Sequence, residues 1–116
     1  MIKIRIKNLR LRAIIGAKES ERKNKQDVII NVSIDADPRQ AIETDNIDEA
    51  FNYRTMTKNI IAVVENSRFH LLEKLADSVL STVMEDGRVK SATVEIDKPG
   101  ALRFTDSVSI EVHANR

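Results

Sequence analysis

The sequence contains no cysteine and no tryptophan, and only three glycines, two prolines, three phenylalanines and one tyrosine. Without cysteine, the chain can form neither a disulfide nor a thiolate metal site. With so few glycines it carries no phosphate-cradling glycine loop and no G-x-S-x-G nucleophile elbow. Because aromatic rings are scarce, the core must be built from Ile, Leu, Val and Ala.

Long apolar runs and an excess of one charge are absent as well. The first residues, Met-Ile-Lys-Ile-Arg-Ile-Lys, alternate apolar with charged side chains, unlike a signal peptide or a membrane-spanning segment. The net charge of +1 gives no global field that would favour nucleic acid or an anionic membrane. We therefore expect a cytoplasmic protein with one domain, residues 1–116, that binds a small polar ligand.

Two groups of polar residues have ordinary structural explanations. His70 and His113 lie far apart and have no cysteine partners, so we expect no metal site. Basic residues recur along the first predicted strand, and such a series is more typical of a solvated or guarded sheet edge than of a phosphate site. The series consists of Lys3, Arg5, Lys7, Arg10 and Arg12.

Hydrophobic periodicity predicts four strands and two helices. Residues 2–15 alternate as a strand, first with apolar residues at even and then at odd positions, and this change of parity predicts a β-bulge or bend near Asn8. The order ββααββ predicts an α+β fold, an antiparallel sheet with two helices on one face, and its uncovered edges favour self-association. The other predicted elements are a loop at 16–26, a strand at 27–35, a connection with short helical turns at 38–52, helices at 53–66 and 69–86, strands at 89–97 and 106–113, and a turn at 98–101.

Four residues are candidates for chemistry, although none is distinctive alone. Glu73 would be a surface residue of a helix, because Glu is seldom buried. Lys98 would be a lysine in a turn, and Glu21 an acid in a loop. Tyr53 would be a half-buried tyrosine anchored by its ring at a helix start. Only the order and spacing of these residues taken together are specific enough to indicate a function.

That joint pattern resembles the dihydroneopterin aldolase and dihydroneopterin-triphosphate epimerase family over essentially the whole chain. The resemblance implies the tunnelling fold, in which subunits join their sheets edge to edge into a barrel ringed by helices, here most simply as a homo-octamer. The matching segments are Gly16-Ala17 with Glu21 and Gln26, Thr44-Asp45-Asn46, Asn52-Tyr53, Leu71-Leu72-Glu73 and Lys98-Pro99-Gly100-Ala101.

Three segments look more like the 2′-epimerase than the aldolase: Leu9 to Arg12, Asn52 to Lys58 and Ala101 to Ser109. The resemblance therefore implies epimerisation at C2′ of 7,8-dihydroneopterin triphosphate. The first alternative is the aldolase reaction, which releases glycolaldehyde, and Lys98-Pro99-Gly100-Ala101 also suits many aldolases. A more distant alternative is a non-catalytic oligomer that binds pterin or purine rings.

The same resemblance implies a role for each candidate residue. Glu73 would hold the pterin through two acceptors that face its amino group and ring N–H, and the Leu72 backbone would hold the same edge. Lys98 would move protons as general acid and base, with Tyr53 from a neighbouring subunit assisting. Glu21 would hold substrate or a water. No cofactor is implied, because the dihydropterin C=N bond can itself accept the electrons released by C–C cleavage.

Overall fold

The computed structural model describes all residues from Met1 to Arg116 and contains one four-stranded antiparallel sheet. The strands are β1 (Ile2–Ala13), β2 (Gln26–Ala36), β3 (Val89–Pro99) and β4 (Ser107–Asn115), in that spatial order. The helices are α1 (Glu19–Lys23), α2 (Arg39–Thr44), α3 (Tyr53–Glu65) and α4 (Leu72–Met84), with a 3₁₀ turn at Ile47–Glu49. The predicted order ββααββ and the α+β class are confirmed.

The predicted bulge in β1 is confirmed. Ile6 pairs with Val32 and Leu9 with Ile30, so two residues of β1 oppose one residue of β2. Asn8 takes the left-handed conformation (φ 54°), and its backbone N–H donates to Oδ1 of Asn31 at 2.9 Å. The bulge therefore keeps both apolar stretches of β1 on the helix side of the sheet.

The core lies between one face of the sheet and the two long helices. Side chains alternate strictly between buried and more exposed along β2, as expected for a strand covered on one face. Helix α3 buries Met56, Ile60 and Val64, and α4 buries a continuous stripe that includes Leu75, Val79 and Val83. Apart from Ala13, the apolar side chains of the edge strands β1 and β4 are at most partly buried. One chain thus leaves both edges of its sheet incompletely covered.

The main differences from the sequence prediction lie in three places. The predicted loop 16–26 contains α1, and the second long helix spans Leu72–Met84 instead of 69–86. The predicted turn at 98–101 starts later, because Lys98 and Pro99 still pair with Val108 and Ser107 as the end of β3. Proline is tolerated there because it lies at the end of the strand. No helix is both long enough and apolar enough to cross a membrane.

Candidate functional site

An ion pair between Lys98 and Glu21 lies at the end of β3. Nζ of Lys98 is 2.5 Å from Oε2 of Glu21, and the two side chains are only 14% and 18% exposed. Lys98 comes from the penultimate residue of β3, whereas Glu21 comes from α1, 77 positions earlier in the chain. The fold therefore brings two of the sequence-predicted site residues into direct contact, in a position sheltered from water.

The Glu21 carboxylate accepts two further hydrogen bonds. Nε2 of Gln26 donates to Oε2 at 3.1 Å, and the backbone N–H of Lys18 donates to Oε1 at 3.2 Å. The hydrogen bond from Lys98, followed by that from Gln26, lowers the pKa of Glu21 from 4.5 to about 2, against a smaller opposing effect of burial. Glu21 is thus a fixed carboxylate near neutral pH, and in this protein it is an acceptor rather than a proton donor.

Gly16 makes room for this carboxylate. Its φ of +121° lies where side chains other than hydrogen are rarely found, and a Cβ atom at this position would lie 2.3 Å from Cδ of Glu21. The sequence reasoning placed Gly16 in a family-like segment without identifying this close approach. Its signal would have been a glycine immediately after a strand and five residues before an acid.

Arg22 ties the Glu21 loop to the residues that precede α4. Its guanidinium donates to the backbone oxygens of Gly16 (3.2 Å), Phe69 (3.0 Å) and Arg68 (2.5 Å). Arg68 donates in return to the backbone oxygen of Arg22 at 3.2 Å, and the N–H of Gly16 donates to the oxygen of Phe69 at 3.3 Å. We name this set of contacts the Arg22 clamp. The sequence did not predict the Arg22 clamp, because Arg22 bonds to backbone oxygens and every residue type has one.

Leu72 and Glu73 form the first turn of α4, just beyond the Arg22 clamp. Leu72 packs into the core at 9% exposure, whereas Glu73 is exposed and forms neither an ion pair nor a hydrogen bond with another side chain. Backbone N–H groups in the first turn of a helix have no intrahelical partner, and no side chain caps this terminus. A free carboxylate and free N–H donors therefore lie together at this helix end, which can bind a ring edge that carries both donors and an acceptor.

Tyr53 is not part of this arrangement within one chain. It begins α3, is 61% exposed and lines a cleft together with Ile2 and Ala36. Ala36 pairs with Val89 at the start of β3, and Lys98 lies nine positions further along the same strand. At about 3.3 Å per residue, Val89, beside the cleft, lies about 30 Å along the strand from Lys98. The same small ligand cannot contact both residues of one chain.

The predicted site has no clustered metal ligands, since no three His, Asp or Glu residues lie close enough together to hold an ion. The basic residues of β1 are distributed along the sheet edge. Lys3 pairs with Asp35 at 3.2 Å and Arg12 with Asp27 at 3.6 Å. This favours the interpretation of the series as a solvated edge.

Comparisons with known proteins place this geometry in a family. The family profile described as "FolB: Dihydroneopterin aldolase" matches residues 4–113. The dihydroneopterin triphosphate 2′-epimerase of Pseudomonas aeruginosa is 52% identical over 116 residues, which cover 100% of this chain and 94% of that protein. The enzyme of the same name from Escherichia coli K12 is 54% identical over 113 residues, or 97% of this chain and 94% of that one.

A solved structure has the same fold at much lower identity. The crystal structure of E. coli dihydroneopterin aldolase in complex with neopterin superposes with a TM-score of 0.93 and 22% identity, covering 99% of this chain and 100% of the other. The sheet and helix arrangement described above is therefore that of a known enzyme fold, and the epimerases are the nearer of these relatives in sequence.

Proposed function

This chain belongs to the dihydroneopterin aldolase family, and on that premise we propose that it is a dihydroneopterin-triphosphate 2′-epimerase. The reaction inverts C2′ of 7,8-dihydroneopterin triphosphate to give dihydromonapterin triphosphate. The observation that carries the proposal is the sheltered Glu21–Lys98 pair, which supplies an amine for proton transfer and, beside it, a fixed carboxylate that accepts hydrogen bonds. Identity of 52–54% to two epimerases, against 22% to the aldolase of solved structure, selects the reaction.

The first turn of α4 is the proposed pterin anchor. The Glu73 carboxylate accepts from the exocyclic amino group and the adjacent ring N–H, while the backbone N–H of Leu72 donates to a ring acceptor. Two observations support these contacts with the pterin: Glu73 is exposed and has no partner within the chain, and the side chain of Leu72 is buried in the core. The Arg22 clamp then fixes the anchor relative to the Glu21–Lys98 pair.

Lys98 is the proposed general base and acid. In its neutral form the amine removes the proton of the 2′-hydroxyl, the C1′–C2′ bond breaks, and C2′ becomes an aldehyde carbon. The electron pair of that bond moves into the dihydropterin C=N system. When the bound aldehyde has turned its other face to C1′, the same pair of electrons re-forms the bond and the Lys98 ammonium returns the proton to the new alkoxide.

Glu21 is proposed to hold substrate or a water beside this amine. Its carboxylate already accepts from Lys98, Gln26 and Lys18 in the free protein, so its orientation is set before the substrate arrives. Its lowered pKa supports a role as a permanent acceptor. Binding of the substrate hydroxyl has to exchange one of these hydrogen bonds, most simply that from Lys98.

Tyr53 is proposed to reach the site from a second copy of the chain. Two observations support this. The cleft that Tyr53 lines lies next to the start of β3, about 30 Å along the strand from Lys98 of the same chain, and both edge strands are incompletely buried. We propose a homo-oligomer in which sheets join edge to edge, with an octamer as the expected size. Each pterin site would then lie between two chains.

The aldolase reaction is the second candidate, and the match to the aldolase family profile favours it. It shares the proposed first step. If the aldehyde leaves before it can add again, the products are glycolaldehyde and 6-hydroxymethyl-7,8-dihydropterin. The two reactions therefore differ in how long the aldehyde fragment stays bound in the site.

The decisive experiment incubates purified protein with dihydroneopterin triphosphate and, separately, with dihydroneopterin, and resolves epimer from cleavage products by chromatography. Epimer as the main product of the triphosphate supports the proposal, and cleavage as the main product of both substrates would select the aldolase. Pterin binding without either product would identify a binding protein. Lys90→Ala, on the exposed side of β3, is the matched control for Lys98→Ala.

A further inference from the structure

Lys18 lies against the carboxylate of the candidate site. Its backbone N–H donates to Oε1 of Glu21 at 3.2 Å, while Nζ of Lys98 lies 2.5 Å from the other carboxylate oxygen, Oε2. A single carboxylate therefore separates the backbone of Lys18 from the amine of Lys98. The side chain of Lys18 is exposed and forms no ion pair within the chain. It is thus a free cation at the edge of the sheltered pair.

The backbone of Lys18 is held in place, although its side chain is free. Its carbonyl oxygen accepts from the backbone N–H of Arg22 at 3.1 Å. Two residues earlier, the N–H of Gly16 donates to the oxygen of Phe69, and the oxygen of Gly16 accepts from the Arg22 guanidinium. Lysine carries its charge on a flexible four-carbon stem. The ammonium of Lys18 can therefore adapt to a ligand without any movement of the loop.

The proposed site has too little positive charge for the proposed substrate. The hydrogen bond from Lys98 holds the pKa of Glu21 at about 2, so Glu21 is ionised near neutral pH. Glu73 is a second carboxylate, exposed and without an ion pair. Lys98 must be neutral when it removes the 2′-hydroxyl proton, so it cannot then offset either carboxylate. Because like charges oppose association, binding of a triphosphate needs a further cation beside the pair.

The chemistry of the substrate brings its phosphates to this place. The phosphate chain of 7,8-dihydroneopterin triphosphate is attached to C3′, the carbon next to C2′. Only this carbon and one oxygen separate C2′ from the first phosphorus atom. A ligand that places its C2′ hydroxyl group at the amine of Lys98 therefore places its phosphate chain close to Glu21, where Lys18 is an unpaired cation.

We propose that Lys18 is the residue that recognises the triphosphate, an inference that rests on the proposed function. With the pterin held by the first turn of α4 and C2′ at Lys98, the ammonium of Lys18 donates to the phosphate oxygens nearest C3′. The same cation offsets the charge of Glu21 while Lys98 is neutral. Lys18 is therefore a specificity-determining residue, which distinguishes the triphosphate from dihydroneopterin and takes no part in bond cleavage.

Two other cations serve as comparisons. Lys23 lies in α1 as well, but its ammonium already pairs with Glu19 at 3.1 Å. Lys23→Ala removes the same charge from this segment and is the matched control. Arg103, in the turn between β3 and β4, forms no ion pair and is the competing candidate for the phosphates. Because Lys18 contacts Glu21 through its backbone, Lys18→Ala leaves that hydrogen bond in place.

The test measures the affinities of two unreactive oxidised pterins, neopterin triphosphate and neopterin, by calorimetry. Lys18→Ala should weaken binding of the triphosphate about tenfold, because it removes a hydrogen bond between charged groups, and should leave the affinity for neopterin within about twofold. Lys23→Ala should leave both affinities within about twofold, and Lys18→Arg should keep most of the preference for the triphosphate. Since salt screens charges, added salt should bring the natural protein closer to Lys18→Ala.

Several results would overturn the proposal. Lys18→Ala could weaken both ligands equally or neither, or the natural protein could bind both ligands equally. Loss of the triphosphate preference in Lys23→Ala or Arg103→Ala to the same extent as in Lys18→Ala would overturn it too. Binding of neither ligand would overturn the pterin anchor along with it. The probes undergo no reaction, so absence of epimerase turnover would leave these affinities valid, and failure here would leave the product analysis of the enzyme unaffected.

Discussion

The three glycines of the chain allow the packing around Glu21 to be tested by one substitution, Gly16→Ala. Two costs add at this position. A Cβ atom in left-handed backbone costs about 1–2 kcal/mol. The new methyl group would also lie 2.3 Å from Cδ of Glu21 and force the carboxylate away from its partners. Loss of a hydrogen bond to a charged group costs about 1.5–3 kcal/mol, so we expect Gly16→Ala to lower the free energy of unfolding by about 2.5–5 kcal/mol.

The other two glycines separate these costs. Gly100 has a φ of +73°, but a Cβ atom there would meet no other atom within 4 Å, so Gly100→Ala should cost only the backbone part, about 1–2 kcal/mol. Gly87 has neither a positive φ nor an atom within 4 Å of an added Cβ. Gly87→Ala should therefore change the free energy of unfolding by no more than about 0.5 kcal/mol. In a Glu21→Ala background the carboxylate is absent, and the cost of Gly16→Ala should fall to that of Gly100→Ala.

Urea unfolding followed by circular dichroism measures the free energy of unfolding of all five variants. They are Gly16→Ala, Gly100→Ala, Gly87→Ala, Glu21→Ala and the double variant Gly16→Ala with Glu21→Ala. Protein concentration has to be held constant, because self-association makes the apparent stability depend on it. The reasoning fails if Gly16→Ala costs no more than Gly100→Ala, or if its cost is the same with and without the Glu21 side chain. Either result would mean that the carboxylate is not held against Gly16.

Four further outcomes are expected. Glu73→Ala should weaken pterin binding roughly ten- to a hundredfold in calorimetry, since a charged acceptor contributes about 1.5–3 kcal/mol, and unchanged affinity would remove Glu73 from the pocket. Lys98→Ala should lower epimerisation and cleavage together by roughly 10²–10⁴-fold while a pterin still binds; near-normal turnover would refute its role. Arg22→Ala should lower kcat more than it raises KM, because the Arg22 clamp orients Glu21 relative to the proposed pterin anchor, and Arg22→Lys should be intermediate; an unchanged kcat per folded site would contradict that. The folded pKa of Glu21, about 2, lies below its ordinary 4.5, so its stabilising contribution should be complete above about pH 4.5 and be lost as pH falls towards 2; Glu21→Gln should flatten that part of the stability profile.

Periodicity predicted the sheet and the long helices because each of them buries one face. Helix α1 was missed for the corresponding reason: none of its residues is buried, so it has no apolar stripe to detect. Tertiary hydrogen bonds hold it in place instead: Glu21 accepts from Lys98, and Arg22 donates to the backbone oxygen of Phe69. Helix α4 was predicted too long because Phe69 continues its apolar pattern, although the residues before Leu71 are bound by the Arg22 clamp.

The site could not be derived from pattern alone. Glu21 and Lys98 are far apart in the chain, and each is an ordinary residue in its own segment, so only the resemblance to a family pointed to both. The structure shows that these two side chains are in contact. The roles of Lys98, Glu21, Glu73 and Tyr53 stay predictions, since they concern a bound substrate or a second chain.

The bulge in β1 lets this strand hold one residue more than its partner without changing the face on which its apolar side chains lie. Asn8 occupies left-handed backbone that glycine also adopts easily, so Asn8→Gly should be accepted. Deleting Asn8 would remove the bulge and leave regular alternation, with Lys7 opposite Asn31 and Leu9 still opposite Ile30, so that Leu9 and Leu11 stay on the helix side. In evolution, a residue can therefore be gained or lost at this position without turning over the rest of the strand.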